Sequence, residues 1–184
     1  MKKAFTLVEI IVVLALFGIL VLVGTEFVIH MIRANNKTII QNEVRQNANR
    51  VMQLLTNSIR GAGCVTWSGN NNQNKLINIY STKDCTGTPA ETYEFRILAE
   101  EKGRIYKKVG ADPINKIISD SVAACKDSGC GATCNQNGLE VTGTSGTSGA
   151  IGLSLTLQQT PRAGLRSDFC GRITLSNTVT PRQY

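Results

Sequence analysis

The chain has 184 residues, 42% of them apolar and 18% charged, with a net charge of +7. That length allows one domain of ordinary size. The basic excess is spread along the chain: residues 5–60 hold five basic and three acidic side chains, and residues 61–184 hold thirteen and ten. A C-terminal region at +3 lacks the electrostatic footprint of a nucleic-acid-binding domain, and its lack of histidine (the one histidine is His30) removes the commonest general base.

The N-terminus reads MKKAFTLVEIIVVLALFGILVLVGTEFVIH. Lys2 and Lys3 precede the junction Ala4-Phe5, Thr6-Leu7-Val8-Glu9 follows, and an apolar run extends from Ile10 to Gly24. A secretory signal has this basic start and apolar stretch, but it also needs a small-residue cleavage site after the run, and Val23-Gly24-Thr25 is a poor one. A plain anchor needs about 20 apolar residues, which Phe5 to Ile29 reaches with four interruptions: Thr6, Glu9, Thr25 and Glu26. Neither reading explains Glu9, because an ionised carboxylate inside a membrane is costly. A cut between Ala4 and Phe5 does explain it. Lys2 and Lys3 hold that junction on the cytoplasmic side. The cut leaves a new α-amine on Phe5, four residues from Glu9, and a paired carboxylate is tolerable where a lone one is not.

The helix is expected to continue past the membrane segment, since no proline occurs before Pro89. Ile29, Ile32, Ile40, Val44, Ala48, Val51, Leu55 and Ile59 recur mostly at gaps of three or four, which is one helical face. Gly61 and Gly63 supply the stop. One helix from about Phe5 to Arg60 therefore has a first half suited to lipid and a second half that packs one face on a head. Gly18 and Gly24 are tolerated in the first half, as glycine is in membrane helices.

Residues 68–75 read as a polar loop. Leu76–Tyr80, Tyr93–Leu98, Arg104–Val109 and Ile114–Ile118 have strand character, with Glu101-Lys102-Gly103 as the turn of a hairpin. In that hairpin Ile105, Lys107 and Val109 share one face. Residues 119–138 are irregular, and Gly143–Gly149 (GTSGTSG) reads as a flexible loop. Ile151–Leu157 alternates most clearly, and Arg172–Leu175 closes the series. One long helix followed by an antiparallel sheet is an α+β fold. The segments are 1–4 as leader, 5–28 as the membrane half of the helix, 29–62 as its amphipathic half, and 63–184 as a disulfide-rich head.

The six cysteines, Cys64, Cys85, Cys125, Cys130, Cys134 and Cys170, all follow the helix. An even number in an exported domain reads as disulfides, with 15 possible connectivities; we expect Cys64 to pair with Cys85 and Cys134 with Cys170. A zinc site fits poorly, because Cys125, Cys130 and Cys134 contain no CxxC pair. No metal or cofactor is expected. No nucleophile–base set or phosphate-binding glycine loop appears either, so the chain reads as no enzyme.

Phe5-Thr6-Leu7-Val8-Glu9 followed by an apolar helix resembles the N-terminus of type IV pilins and of the pseudopilins of type II secretion. Ala4 stands where that family usually has glycine. The resemblance implies that a prepilin peptidase cleaves after Ala4 and N-methylates Phe5, and that Glu9 pairs with the Phe5 amine of a neighbouring subunit. The partners it implies are other pilin subunits, the peptidase, an inner-membrane assembly platform and the lipid bilayer that holds the precursor before assembly. Residues 51–55 and 59–63, with the final Leu175-Ser176-Asn177, are loosely similar to the J-type minor pseudopilins and W-type minor pilins. The implied role is a minor structural subunit of a type IV pilus. The alternatives are a minor pseudopilin of type II secretion, or a tip pilin whose head binds a surface or DNA. For DNA, the candidate groups are Lys102, Arg104, Lys107 and Lys108 on the hairpin, then Arg162, Arg166 and Arg172, with Trp67 and Tyr106 to stack on bases.

Overall fold

A computed structural model describes residues 6–69, 73–97, 103–126, 134–146, 149–160 and 170–182. The chain forms two compact units, Met1–Ile39 and Ile40–Tyr184. The described part of the first is helix throughout, the start of α1 (Leu7–Arg60). Every side chain from Thr6 to Ile39 is exposed.

In the second unit α1 behaves differently. Val44, Ala48, Val51, Met52, Leu55, Thr56 and Ile59 are buried, at steps of one, three and four that keep them on one face. The helix ends at Arg60, where the Gly61 N–H donates to the Asn57 carbonyl at 3.1 Å. Gly63 then lets the chain turn sharply: a Cβ there would lie 2.6 Å from the Ser81 carbonyl oxygen, so no larger residue fits without moving backbone. Its N–H donates to the Tyr80 carbonyl at 2.9 Å, starting the first sheet.

That sheet is an antiparallel meander of β1 (Cys64–Ser68), β2 (Lys75–Tyr80), β3 (Glu91–Arg96), β4 (Arg104–Val109) and β5 (Asn115–Lys116), paired in sequence order. The second sheet contains β6 (Val122–Ala123), β7 (Leu139–Thr142), β8 (Ile151–Gln159) and β9 (Arg172–Val179). Its central strand, β8, pairs with β9 along one edge from Ile151↔Val179 to Gln158↔Arg172. Along the other edge it pairs with β7 and β6. The fold is α+β as expected, but with two sheets where the sequence suggested one. β1, β6 and β7 are additions to the predicted strands. Leu98 and the Glu101-Lys102 turn lie outside the described residues.

The core forms where the helix face meets both sheets. It contains Leu55 and Ile59 from α1, Ile77, Tyr93, Phe95 and Ile105 from the first sheet, and Leu139, Ile151, Leu153, Leu155 and Leu157 from the second. Each large apolar side chain so buried contributes about 1.5–3 kcal/mol. A buried polar residue ties the sheets together: Asn137 donates Nδ2–H to the Phe95 carbonyl at 3.2 Å and accepts the Leu139 N–H at 2.9 Å. The Gly143–Gly149 loop is anchored where it is described. Gly146 N–H donates to the Val65 carbonyl at 3.0 Å and the Ser145 hydroxyl accepts the Trp67 N–H at 3.1 Å, so this segment caps the outer edge of β1.

Cys64 is joined to Cys85, with Cα atoms 5.4 Å apart. Cys134 is joined to Cys125 rather than to Cys170, which corrects the expected pairing. Local geometry decides this. Residues 124–126 run antiparallel to 136–138, through Lys126 N–H to the Gln136 carbonyl and Gly138 N–H to the Ala124 carbonyl, and that brings the two cysteines to a Cα separation of 5.5 Å. Cys170 is also disulfide-bonded; Cys130 lies outside the described residues.

Candidate functional site

Ala4 and Phe5 lie outside the described residues, so the site begins at Thr6. The Thr6 carbonyl accepts the N–H groups of Glu9 and Ile10 at 3.1 and 3.3 Å, and its hydroxyl faces the Glu9 N–H at 3.4 Å. Thr6 is thus the N-cap of α1 and Glu9 its third helical residue. The T-x-x-E spacing is that of a capping box, a signal present in the sequence that the reading of Glu9 as misplaced passed over. A carboxylate in the first turn also gains about 0.3–1 kcal/mol from the helix dipole. That is too little to offset its entry unpaired into an apolar medium, which costs several kcal/mol. Capping therefore explains why Glu9 is compatible with this helix, and a further partner is still needed when it is buried.

From Ile10 to Val23 the helix is apolar on all faces, with Leu20 and Leu22 each 69% exposed. Among the described residues it is the one helix long and apolar enough to cross a membrane, judged by length and composition. It stays regular through Gly18 and Gly24. The Thr25 hydroxyl donates back to the Leu22 carbonyl at 2.8 Å, and Thr38 does the same to Ala34 at 3.0 Å, so both hydroxyls are satisfied within the helix.

In the head, three polar contacts fasten α1, two of them to strands and one to the β5–β6 connection. Nearest its C-terminus, Tyr93 Oη lies 2.8 Å from Ser58 Oγ, and Glu91 Oε2 accepts from Ser58 and from Tyr93. Lys107 Nζ lies 2.9 Å from Glu91 Oε1 and 5.3 Å from the Tyr93 ring centroid. Burial pushes the Glu91 carboxyl up, but the hydrogen bonds from Ser58, Lys107 and Tyr93, with the Lys107 charge, outweigh it and hold the pKa below its ordinary value. For Lys107 burial pulls down, and the hydrogen bonds and charges of Glu91 and Tyr93 raise the net value. The second contact is Thr56, whose hydroxyl accepts from Asn177 Nδ2 at 3.2 Å. In the third, Asn47 accepts the Ser119 N–H at 3.1 Å while Glu43 accepts from the Ser119 and Ser121 hydroxyls.

These contacts dissolve the basic cluster expected on the hairpin. Lys107 faces inward, onto Glu91. Arg104 donates to the Ser119 and Val122 carbonyls and lies 3.5 Å from Asp120, whose carboxyl is lowered by its Lys116 hydrogen bond and then by the Lys116 and Arg104 charges. Lys108 stays exposed, as does Arg172 at the start of β9; Lys102, Arg162 and Arg166 fall outside the described residues. The stacking candidates are occupied too: the Arg96 guanidinium covers the Tyr106 ring at 4.6 Å, and Trp67 packs partly buried against the core. No cluster of metal-ligating side chains occurs among the described residues.

Comparison with known proteins points to the N-terminal helix. The family model described as the prokaryotic N-terminal methylation motif matches residues 1–25. The chain thus carries that motif at its N-terminus. It is similar to the pilin-like protein PilA3 of Thermus thermophilus, with 34% identity over 74 residues, which is 40% of this chain and 32% of the relative. The chain thus spans about a third of the length of the curated relative it matches. No solved structure matches it.

Proposed function

We propose that the chain is a structural subunit, in a minor role, of a type IV pilus or a related filament. It sits in the cytoplasmic membrane as a single-pass precursor with residues 1–4 as leader, and the head, residues 63–184, lies outside the cytoplasm. Prepilin peptidase cuts between Ala4 and Phe5 and methylates the new amine. Residues 5–28 then pass from lipid into a filament core, while residues 29–62 carry the head. The observation that carries this reading is the start of α1: a capped first turn holding one carboxylate, continued by a helix that is apolar on every face and exposed along its full apolar length. Such a surface needs lipid or like helices around it.

Glu9 would set the axial register, because it enters the apolar core only where the Phe5 amine of a neighbour meets it. The pilin-like matches and the absorption of the hairpin lysine and arginine into internal contacts support a structural role over an enzyme or a DNA-binding tip. Glu9→Ala is expected to leave cleavage intact and to abolish most incorporation into filaments, measured by immunoblotting of sheared filaments against whole cells. Normal incorporation of the variant would contradict the proposed pairing.

A further inference from the structure

The second sheet presents one edge that nothing among the described residues covers. The Thr156 N–H donates to the Gly138 carbonyl, on the β7 side, and the Gln159 N–H donates to the Gly171 carbonyl, on the β9 side. Antiparallel pairing alternates, so the odd-numbered residues of β9 turn their backbone groups toward β8 and the even-numbered ones turn them away. The close hydroxyl pair Thr156–Thr174, at 3.0 Å, fits a pair that does not exchange ladder bonds. The outward N–H and C=O groups of Thr174, Ser176 and Thr178 accordingly have no partner among the described residues. All three residues are exposed, and from Ile173 to Val179 the strand carries no charge, proline or bulge of the kind that blunts edges. Ile173 and Leu175, on the inner face, are only half-buried against the core.

A second feature lies at the start of the same strand. Gln41, Asn42 and Arg45 of α1 and Arg172 and Ile173 of β9 enclose a cleft of about 240 Å³. Arg45 has no ion-pair partner among the described residues and is exposed. Arg172 Nη2 donates to the Lys126 carbonyl at 2.9 Å, which orients its guanidinium. Arg45, with the amides of Gln41 and Asn42 and the Ile173 wall, suits a carboxylate.

We propose that the outer edge of β9 docks the C-terminal tail of a partner protein. The tail adds antiparallel to β9, so its chain end arrives at Arg172, where its terminal carboxylate enters the cleft between Arg45 and Arg172. Main-chain bonds to Thr174, Ser176 and Thr178 hold it, and its alternate apolar residues cover Ile173 and Leu175.

The test uses the full-length chain in detergent micelles and a fluorescent alternating threonine–leucine peptide, with a free carboxylate or a C-terminal amide, titrated by anisotropy. Saturable binding of the carboxylate peptide is expected, weakened at least about tenfold by amidation and by Arg45→Gln. Ser176→Pro removes an outward N–H that β8 does not use, and it should weaken both peptides by a similar factor while circular dichroism stays unchanged. Arg45→Gln, at an exposed helix position, keeps the question open to test if the proline variant unfolds. Equal affinity for carboxylate and amide, undiminished binding to Ser176→Pro, or no saturation at about millimolar peptide would each overturn the proposal. So would a self-dimer through β9 that excludes the peptide.

Discussion

Residues 7–39 and residues 40–60 belong to one helix, yet different physics specifies them. In the first stretch the helix is apolar on every face from Ile10 to Val23, and its described side chains are exposed throughout. Backbone hydrogen bonds and a capped N-terminus hold its shape, and its apolar surface calls for lipid or other apolar helices around it. In the second stretch the apolar residues narrow to one stripe, from Val44 to Ile59, which is buried, and polar side chains on its margins are fastened to the sheets. Secondary structure alone therefore says little about what a segment is for; the width of its apolar face says more.

The largest effect that sharpens this contrast is a truncation on the stripe. Leu55 is fully buried, so Leu55→Ala is expected to cost about 2–5 kcal/mol of head stability, read from thermal or denaturant unfolding. Leu20→Ala, at an exposed position, should leave head unfolding unchanged and act on membrane retention or filament yield instead. An equal loss from both would break the comparison.

A smaller effect is expected from the contact near the end of the stripe. Glu91→Gln weakens a half-exposed ion pair and charged hydrogen bonds, for a loss of about 1–2 kcal/mol. The pH dependence has two limbs. Glu91 is lowered from an ordinary 4.5, so its contribution is complete above that value and is lost as pH falls through the lower folded-state value. Lys107 is raised from 10.5, so its contribution is complete below that value and is lost as pH rises through the higher one. Glu91→Gln should flatten the acid limb of head stability; an unchanged acid limb would remove Glu91 from this role. The smallest effect belongs to the other end of α1. Thr6→Val deletes the cap hydroxyl and should fray the first turn for about 1 kcal/mol, seen as faster amide exchange at Glu9 and Ile10, whose N–H groups donate to the Thr6 carbonyl, with no change in head unfolding.

Much of this was legible in the sequence where a short-range pattern carries the information. The helix from Leu7 to Arg60 follows from its apolar run, its three–four periodicity and its glycine stop, and β8 follows from strict alternation. The alternation of β4 already puts Lys107 on the face of the buried Ile105. Proximity in sequence groups the hairpin lysines, whereas the faces they occupy separate them. What sequence did not disclose depends on distant pairing. β7 is four residues long and β6 two, too short for periodicity to mark, and they exist because β8 offers them an edge. The division into two sheets and the Cys125–Cys134 bond depend likewise on which segments meet. At the candidate site, Glu9 was conspicuous as a charge in an apolar run. Thr6, which caps the same turn, was not, because a threonine beside an apolar run is unremarkable until its spacing to Glu9 is counted.

The most direct test of the central claim, a processed subunit assembled through its N-terminal helix, is intact and N-terminal-peptide mass spectrometry of filaments sheared from the native host. The expected species is a chain that begins at methylated Phe5, present at low stoichiometry in the filament fraction. A chain that retains Met1 and occurs only in membranes would contradict it and leave α1 as a simple anchor.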